Sequence, residues 1–118
     1  MSDAVTIYHN PRCSKSRETL SLLQSHGVEP QVVLYLETPP DATTLRNLVQ
    51  MLNLSSARDL MRQKEDLYRT LNLADSTLSE EALIQAMVEN PKLIERPVVV
   101  KGDQARIGRP PEQVLEIL

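Results

Sequence analysis

The sequence predicts an α/β chain with a mixed four-stranded sheet, in the order β-α-β, a helical insertion, then β-β-α. Three observations carry that prediction. A β-prone segment, a helix-spaced run and a second β-rich run follow one another from Ala4 to Leu36; a long stretch reads as helix; and two short β-runs flank a small polar turn before a proline-led terminal helix. At 118 residues the chain has the size of one domain able to bury its own core, so residues 1–118 are expected to form a single domain with the helical insertion at about 41–91.

The elements follow from local chemistry. Ala4 to Tyr8 is β-prone and ends at Asn10-Pro11, a turn signal, because proline fixes its own φ and pushes the preceding residue out of the helical basin. The first helix therefore begins after the proline. From Ser14, the residues Leu20, Leu22 and Leu23 recur near helical spacing, and His26-Gly27 supplies a last-turn histidine and a capping glycine, which sets Cys13 at or beside the N-cap. After the turn Gly27-Val28-Glu29-Pro30, the run Gln31 to Leu36 is a strand. Two strands joined through a helix predict a parallel pair with a right-handed crossover.

Thr38-Pro39-Pro40-Asp41 breaks the chain, Asp41 to Thr43 offer helix caps, and Leu45, Leu48, Val49 and Leu52 form the apolar stripe of a second helix. From Ser55 to Asn90 the pattern is helical throughout, with Leu60-Met61, Leu67-Leu71 and Leu83, Ala86, Met87 as buried faces, Ser79 as a cap and Asn90-Pro91 as a stop. Arg96 to Val100 and Ala105 to Gly108 flank Lys101-Gly102-Asp103 as a hairpin, and Pro111 suits the first turn of a helix carrying Val114, Leu115, Ile117 and Leu118. This order is the layout of a thioredoxin-like sheet with a helical insertion.

Charge and composition narrow the function classes. A net charge of -3 argues against general nucleic-acid affinity, yet nine of the 13 basic residues are arginine, whose planar fork grips oxyanions at two points. Solvated helix faces account for most of them. No apolar run reaches the ~18 residues of a membrane span, and a chain without a signal peptide, in the cytoplasm, is expected. One cysteine forms no internal disulfide, and with only His9 and His26 beside it no metal site is expected.

That cysteine, Cys13, is the leading functional candidate. Helix N-terminal amides and nearby cations such as Arg12, Lys15 and Arg17 lower a thiol pKa and create a nucleophilic thiolate; the alternative is a small buried hydrophobe. Lys15 and Arg17 stand at the electrostatically wrong end of the helix, so a thiolate, a bound oxyanion or Glu18 must compensate. Cys13-Ser14-Lys15-Ser16 resembles a two-cysteine redox motif with serine in the second place, so a resolving thiol has to come from outside. A phosphatase loop is excluded, because it needs arginine where this chain has Thr19. Arg96, before Pro97, either caps Glu95 at the surface or is carried to the cysteine by a thioredoxin-like corner; Arg58 and Arg62, one helical turn apart, read equally as an exposed charged face; and His9 either tunes the thiol or is a hydrogen-bonded loop histidine.

The ordered set Tyr8-His9-Asn10-Pro11, Cys13 with Ser16-Arg17, Leu34-Tyr35-Leu36-Glu37 with Pro39-Pro40, Arg62, Leu93-Ile94 with Arg96-Pro97, and Arg109-Pro110 resembles the glutaredoxin-coupled arsenate reductases over essentially the whole chain. The resemblance implies Cys13 as nucleophile, Arg62, Arg96 and Arg109 as oxyanion holders, and His9, Ser16 and Arg17 as support for the cysteine. It implies arsenate as substrate, glutathione as reductant, glutaredoxin as partner, and no bound cofactor. The related thiol-sensing regulators of RNA polymerase usually keep two cysteines and lack the full arginine set, unlike this chain. A non-catalytic thiol-redox interaction protein and a monothiol glutathione-dependent oxidoreductase are the alternative functions.

Overall fold

The computed structural model describes residues 4–118; Met1-Ser2-Asp3, on which the expectation of a leaderless N-terminus rests, lie outside them. The chain divides into two compact units, one formed by residues up to Thr38 together with Arg96–Leu118, the other by Pro39–Glu95. Among the described residues no helix is long and apolar enough to cross a membrane.

The first unit carries the sheet. β1 (Val5–His9) alternates buried and half-buried residues, which puts Val5, Ile7 and His9 on one face. It is followed by α1 (Ser14–Ser25), β2 (Gln31–Leu34), β3 (Val98–Lys101), β4 (Gln104–Ile107) and a C-terminal 3-10 helix (Pro111–Ile117). The strand order is β2-β1-β3-β4. β1 and β2 run parallel with Ile7 opposite Val32, β3 lies antiparallel to β1 with Ile7 opposite Val99, and β4 closes the hairpin with Val99 opposite Arg106. This is the thioredoxin-like arrangement the element order predicted. Val5, Ile7 and Val99 pack with Leu23, Val114 and Ile117 as the core, and burying each large side chain contributes about 1.5–3 kcal/mol.

α1 ends as its sequence demands. Gly27 takes φ 77, a left-handed conformation that costs glycine nothing, and the Gly27 and Val28 N–H groups return to the Gln24 and Leu23 carbonyls at 3.0 Å each. β2 stops at Leu34 rather than Leu36, because the Leu34 carbonyl is taken at 2.9 Å by both Glu37 N–H and Thr38 N–H, which folds the chain into a turn. The terminal segment is a 3-10 helix rather than an α-helix.

In the second unit α2 (Ala42–Met51) is capped by Asp41, whose Oδ1 accepts from Thr44 N–H at 2.8 Å, and it buries Leu45 and Leu48. The expectation of helix throughout Ser55–Asn90 is overturned. A 3-10 turn (Ala57–Leu60), a short α3 (Asp66–Thr70) and α4 (Glu80–Glu89) are separated by non-helical chain, while the Ser79 cap, the Asn90-Pro91 stop and the burial of Leu60, Met61, Leu83 and Met87 stand as read. Inside that stretch a Leu-Asn-Leu at 71–73 ends α3, as the same triplet at 52–54 ends α2 before it. Asn53 and Asn72 adopt φ 59 and 56, and each sits in a helix-ending turn in which Leu54 N–H reaches Val49 O and Leu73 N–H reaches Tyr68 O.

Met61 is extended, at φ -93 and ψ 147, and pairs with Ile94 in an antiparallel bridge. Leu71, expected on a buried face, is exposed, while Tyr68 and Leu73 are buried in its place. Arg58 is no part of an exposed charged face: its Nε and Nη2 donate to the Leu73 and Asp75 carbonyls at 3.0 and 2.9 Å, clamping the loop before α4.

Candidate active site

Cys13 occupies the N-cap of α1 with extended backbone, φ -96 and ψ 124. The Asn10-Pro11 turn delivers it there: Asn10 Oδ1 accepts from Arg12 N–H at 3.0 Å and the Asn10 carbonyl accepts from Cys13 N–H at 3.0 Å. The thiol is neither sealed in the core nor fully exposed. Burial pushes its pKa up, but the Ser16 N–H, the Arg96 guanidinium, the Lys15 N–H and the Arg109 guanidinium outweigh burial, and the net result lies below the ordinary cysteine value. The open first turn of the helix and two cations thus act on one sulfur.

Arg109 approaches most directly. Its Nη2 lies 3.7 Å from Cys13 Sγ, and its Nε donates to the Arg96 carbonyl at 2.9 Å, so one fork ties two of the predicted residues together. Arg96 and Arg109 each precede a proline through a cis peptide bond.

Beneath the cysteine the core face of β1 ends in polar groups. His9 Nδ1 and Ser16 Oγ are 2.7 Å apart and both residues are buried; Ser16 Oγ also accepts from Asn10 N–H at 3.0 Å. Desolvation, followed by the charge of Arg17, holds the His9 pKa below the usual imidazole value. His9 is therefore a neutral, hydrogen-bonded residue that pins the first turn of α1 to the end of β1.

Arg12 is exposed, and Arg17, Lys15 and Arg62 are held by local partners. Arg17 Nη1 donates to the Pro11 carbonyl at 2.9 Å, bracing the loop that presents the cysteine, and Lys15 Nζ pairs with Glu18 at 3.5 Å, so Glu18 provides part of the negative charge the helix start requires. Arg62 belongs to the second unit, where its N–H donates to the Leu93 carbonyl at 2.7 Å and its guanidinium pairs with Glu65 at 3.2 Å.

Sequence reasoning missed two residues here. Thr19 is fully buried in α1 and its Oγ1 donates to the Lys15 carbonyl at 2.8 Å, while buried Gly108 lies directly against it. The helix's buried positions are Ser16, Thr19 and Leu23, a helical spacing whose first two members are polar, so a search for apolar periodicity passes over them.

A thioredoxin-like sheet with a lone cysteine at the head of its first helix, faced by two arginines from the proline corners, defines a class of single-thiol protein. Within that class the chain belongs to the ArsC family, whose model matches residues 8–117. It is 75% identical over 118 residues to the uncharacterized protein YfgD of Escherichia coli strain K12, covering 100% of this chain and 99% of that protein. It is 50% identical over 115 residues to an arsenate reductase of Haemophilus influenzae, covering 98% of this chain and 99% of the relative. A solved structure of an arsenate reductase from Vibrio cholerae matches at TM-score 0.97 and 61% identity, covering 100% of both chains.

Proposed function

We propose that this chain reduces arsenate to arsenite with Cys13 as nucleophile, Arg96 and Arg109 as oxyanion holders, and glutathione with glutaredoxin as the source of electrons. The observation that carries the reading is the Cys13 sulfur at a helix N-cap with Arg109 Nη2 at 3.7 Å. Anionic nucleophile and anionic substrate repel each other, and a helix N-terminus with two guanidiniums offsets that repulsion. His9, Ser16 and Arg17 support the cysteine by fixing its turn and loop. Arg62 joins the oxyanion holders on the family resemblance alone.

The Cys13 thiolate attacks arsenic(V), forming a sulfur–arsenic bond as one arsenate oxygen leaves as water after protonation. Glutathione then adds its thiol to the arsenic as a second oxygen leaves as water. A glutaredoxin thiolate attacks the glutathione sulfur so that the glutathione sulfur–arsenic electron pair stays on arsenic, and one water hydrolyses the remaining Cys13 sulfur–arsenic(III) bond to free arsenite and the Cys13 thiolate. In sum two thiols become one disulfide, their electron pair takes arsenic(V) to arsenic(III), and the oxygen lost by arsenate departs as water. Ser16 stands where a resolving cysteine would be, which is why the second thiol is external.

The test is a coupled NADPH assay with glutathione, glutaredoxin and glutathione reductase, offering arsenate and a glutathionylated peptide in parallel. Arsenate-dependent oxidation that Cys13→Ser abolishes, and that Arg62→Lys, Arg96→Lys and Arg109→Lys each strongly reduce without unfolding the protein, is the expected result. Turnover of the glutathionylated peptide alone would instead identify a monothiol oxidoreductase. No turnover of either would leave a non-catalytic interaction protein.

A further inference from the structure

We infer that Gly108 is a positioning residue: because it has no side chain, the corner carrying Arg109 seats against Thr19 of α1, and this contact sets how far both guanidiniums reach toward Cys13. The inference rests on the proposed role of Arg96 and Arg109 at the sulfur. A Cβ at position 108 would lie 2.5 Å from Thr19 Oγ1, 2.8 Å from Pro97 Cγ and 3.1 Å from Thr19 Cγ2. The φ of Gly108 is outside the left-handed region, so space rather than backbone freedom is what glycine provides there.

Neither neighbour can yield easily. Thr19 is fully buried and its Oγ1 is held at 2.8 Å by the Lys15 carbonyl, while the Pro97 ring is buried and rigid. A methyl group at 108 therefore moves the corner away from the helix. That corner is one hydrogen-bonded piece: Gly108 N–H donates to Pro97 O at 2.9 Å and Arg109 Nε to Arg96 O at 2.9 Å, so displacement of Gly108 carries both arginines with it. On the helix side, Thr19 is bonded to the carbonyl of Lys15, whose N–H together with that of Ser16 faces the sulfur. Thr19 and Gly108 thus join the turn that holds the thiolate to the corner that supplies the cations.

The experiment measures the pH dependence of Cys13 alkylation by iodoacetamide in the full chain, alongside thermal unfolding, for wild type, Gly108→Ala, Thr19→Ala/Gly108→Ala and Thr19→Val. Gly108→Ala is expected to shift the alkylation midpoint upward by roughly half a unit or more, toward the free-cysteine value near ~8.5, and to raise KM for arsenate. The double variant, which removes both Thr19 atoms the methyl would meet, is expected to recover a large part of that shift. Thr19→Val replaces the hydroxyl facing Gly108 with a slightly larger methyl and also removes its bond to the Lys15 carbonyl, and both changes should move the midpoint in the same direction, by less than Gly108→Ala. This arm decides the matter if Gly108→Ala does not fold. A folded Gly108→Ala, or failing that a folded Thr19→Val, with the wild-type midpoint and only a lower melting temperature would show a purely structural glycine and overturn the inference. A wild-type midpoint already at the free-cysteine value would instead overturn the proposed role of the arginines.

Discussion

Removing the Arg109 guanidinium tests the electrostatics of the site one charge at a time. At the observed 3.7 Å between Nη2 and Cys13 Sγ, two unit charges attract by roughly 4.5 kcal/mol at an effective dielectric of 20 and by roughly 1 kcal/mol in bulk water. Arg109 is exposed, so solvent screening places the effective value toward the lower figure, about 1–2 kcal/mol, equivalent to about one pKa unit. Arg109→Ala should therefore raise the Cys13 midpoint by about one unit. Arg109→Lys should raise it less, since the charge remains, but a single ammonium cannot serve Arg96 O and the sulfur together as the fork does. The alkylation rate of Cys13 followed against pH for the three proteins reads both effects, and turnover with arsenate reads the fork separately. An unmoved midpoint in folded Arg109→Ala would refute the reasoning, because the helix turn and Arg96 would then be holding the thiolate without it.

Two further outcomes follow from groups around the site and away from it. Burial and Arg17 keep the His9 pKa low, so between that value and about pH 6.5 the unfolded chain takes up a proton that the folded chain refuses; stability falls as pH drops through this window, and His9→Asn should flatten the fall. Melting temperatures of both proteins across mildly acidic pH check this, and parallel curves would contradict it. Asn72→Ala places an ordinary side chain at φ 56 and should cost about 1–2 kcal/mol in urea unfolding, whereas Asn72→Gly should cost nothing and neither should alter Cys13 reactivity. Equal stability of the alanine and glycine variants would show that the left-handed cap is not what ends α3.

The sheet-forming half of the fold was legible because its boundaries are written in punctuation: Pro11 before α1, Gly27 after it, Pro30 before β2 and the Gly102 turn between β3 and β4. The middle of the chain was less so. Asparagine in the left-handed region ends a helix as glycine does, but Asn72 carries no such signal on its own in a leucine-rich run, so the chain on either side of it read as one helical stretch. Met61 looked helical by spacing, and only a partner at Ile94, distant in sequence, makes it extended.

At the site, Cys13 was readable from a single-residue rarity plus a helix start, and the cations beside it were listed correctly but not their partners. Arg17 and Lys15 looked like the residues crowding the sulfur, yet the structure gives them to Pro11 and Glu18, and hands the role to Arg96 and Arg109 from the far end of the chain. Local sequence favoured the nearer cations because proximity along the chain was the only geometry it offered. Gly108 and Thr19 were invisible for the same reason, since their closeness exists only once β4 and α1 are packed.

The account stands on a thiol held as an anion near neutral pH, and ultraviolet titration of the thiolate in wild-type protein, with Cys13→Ser as the blank, measures that directly. A single step centred clearly below ~8.5 is the predicted result. A step at or above that value would contradict it, since the helix turn and the paired guanidiniums would then fail to outweigh the burial of the sulfur.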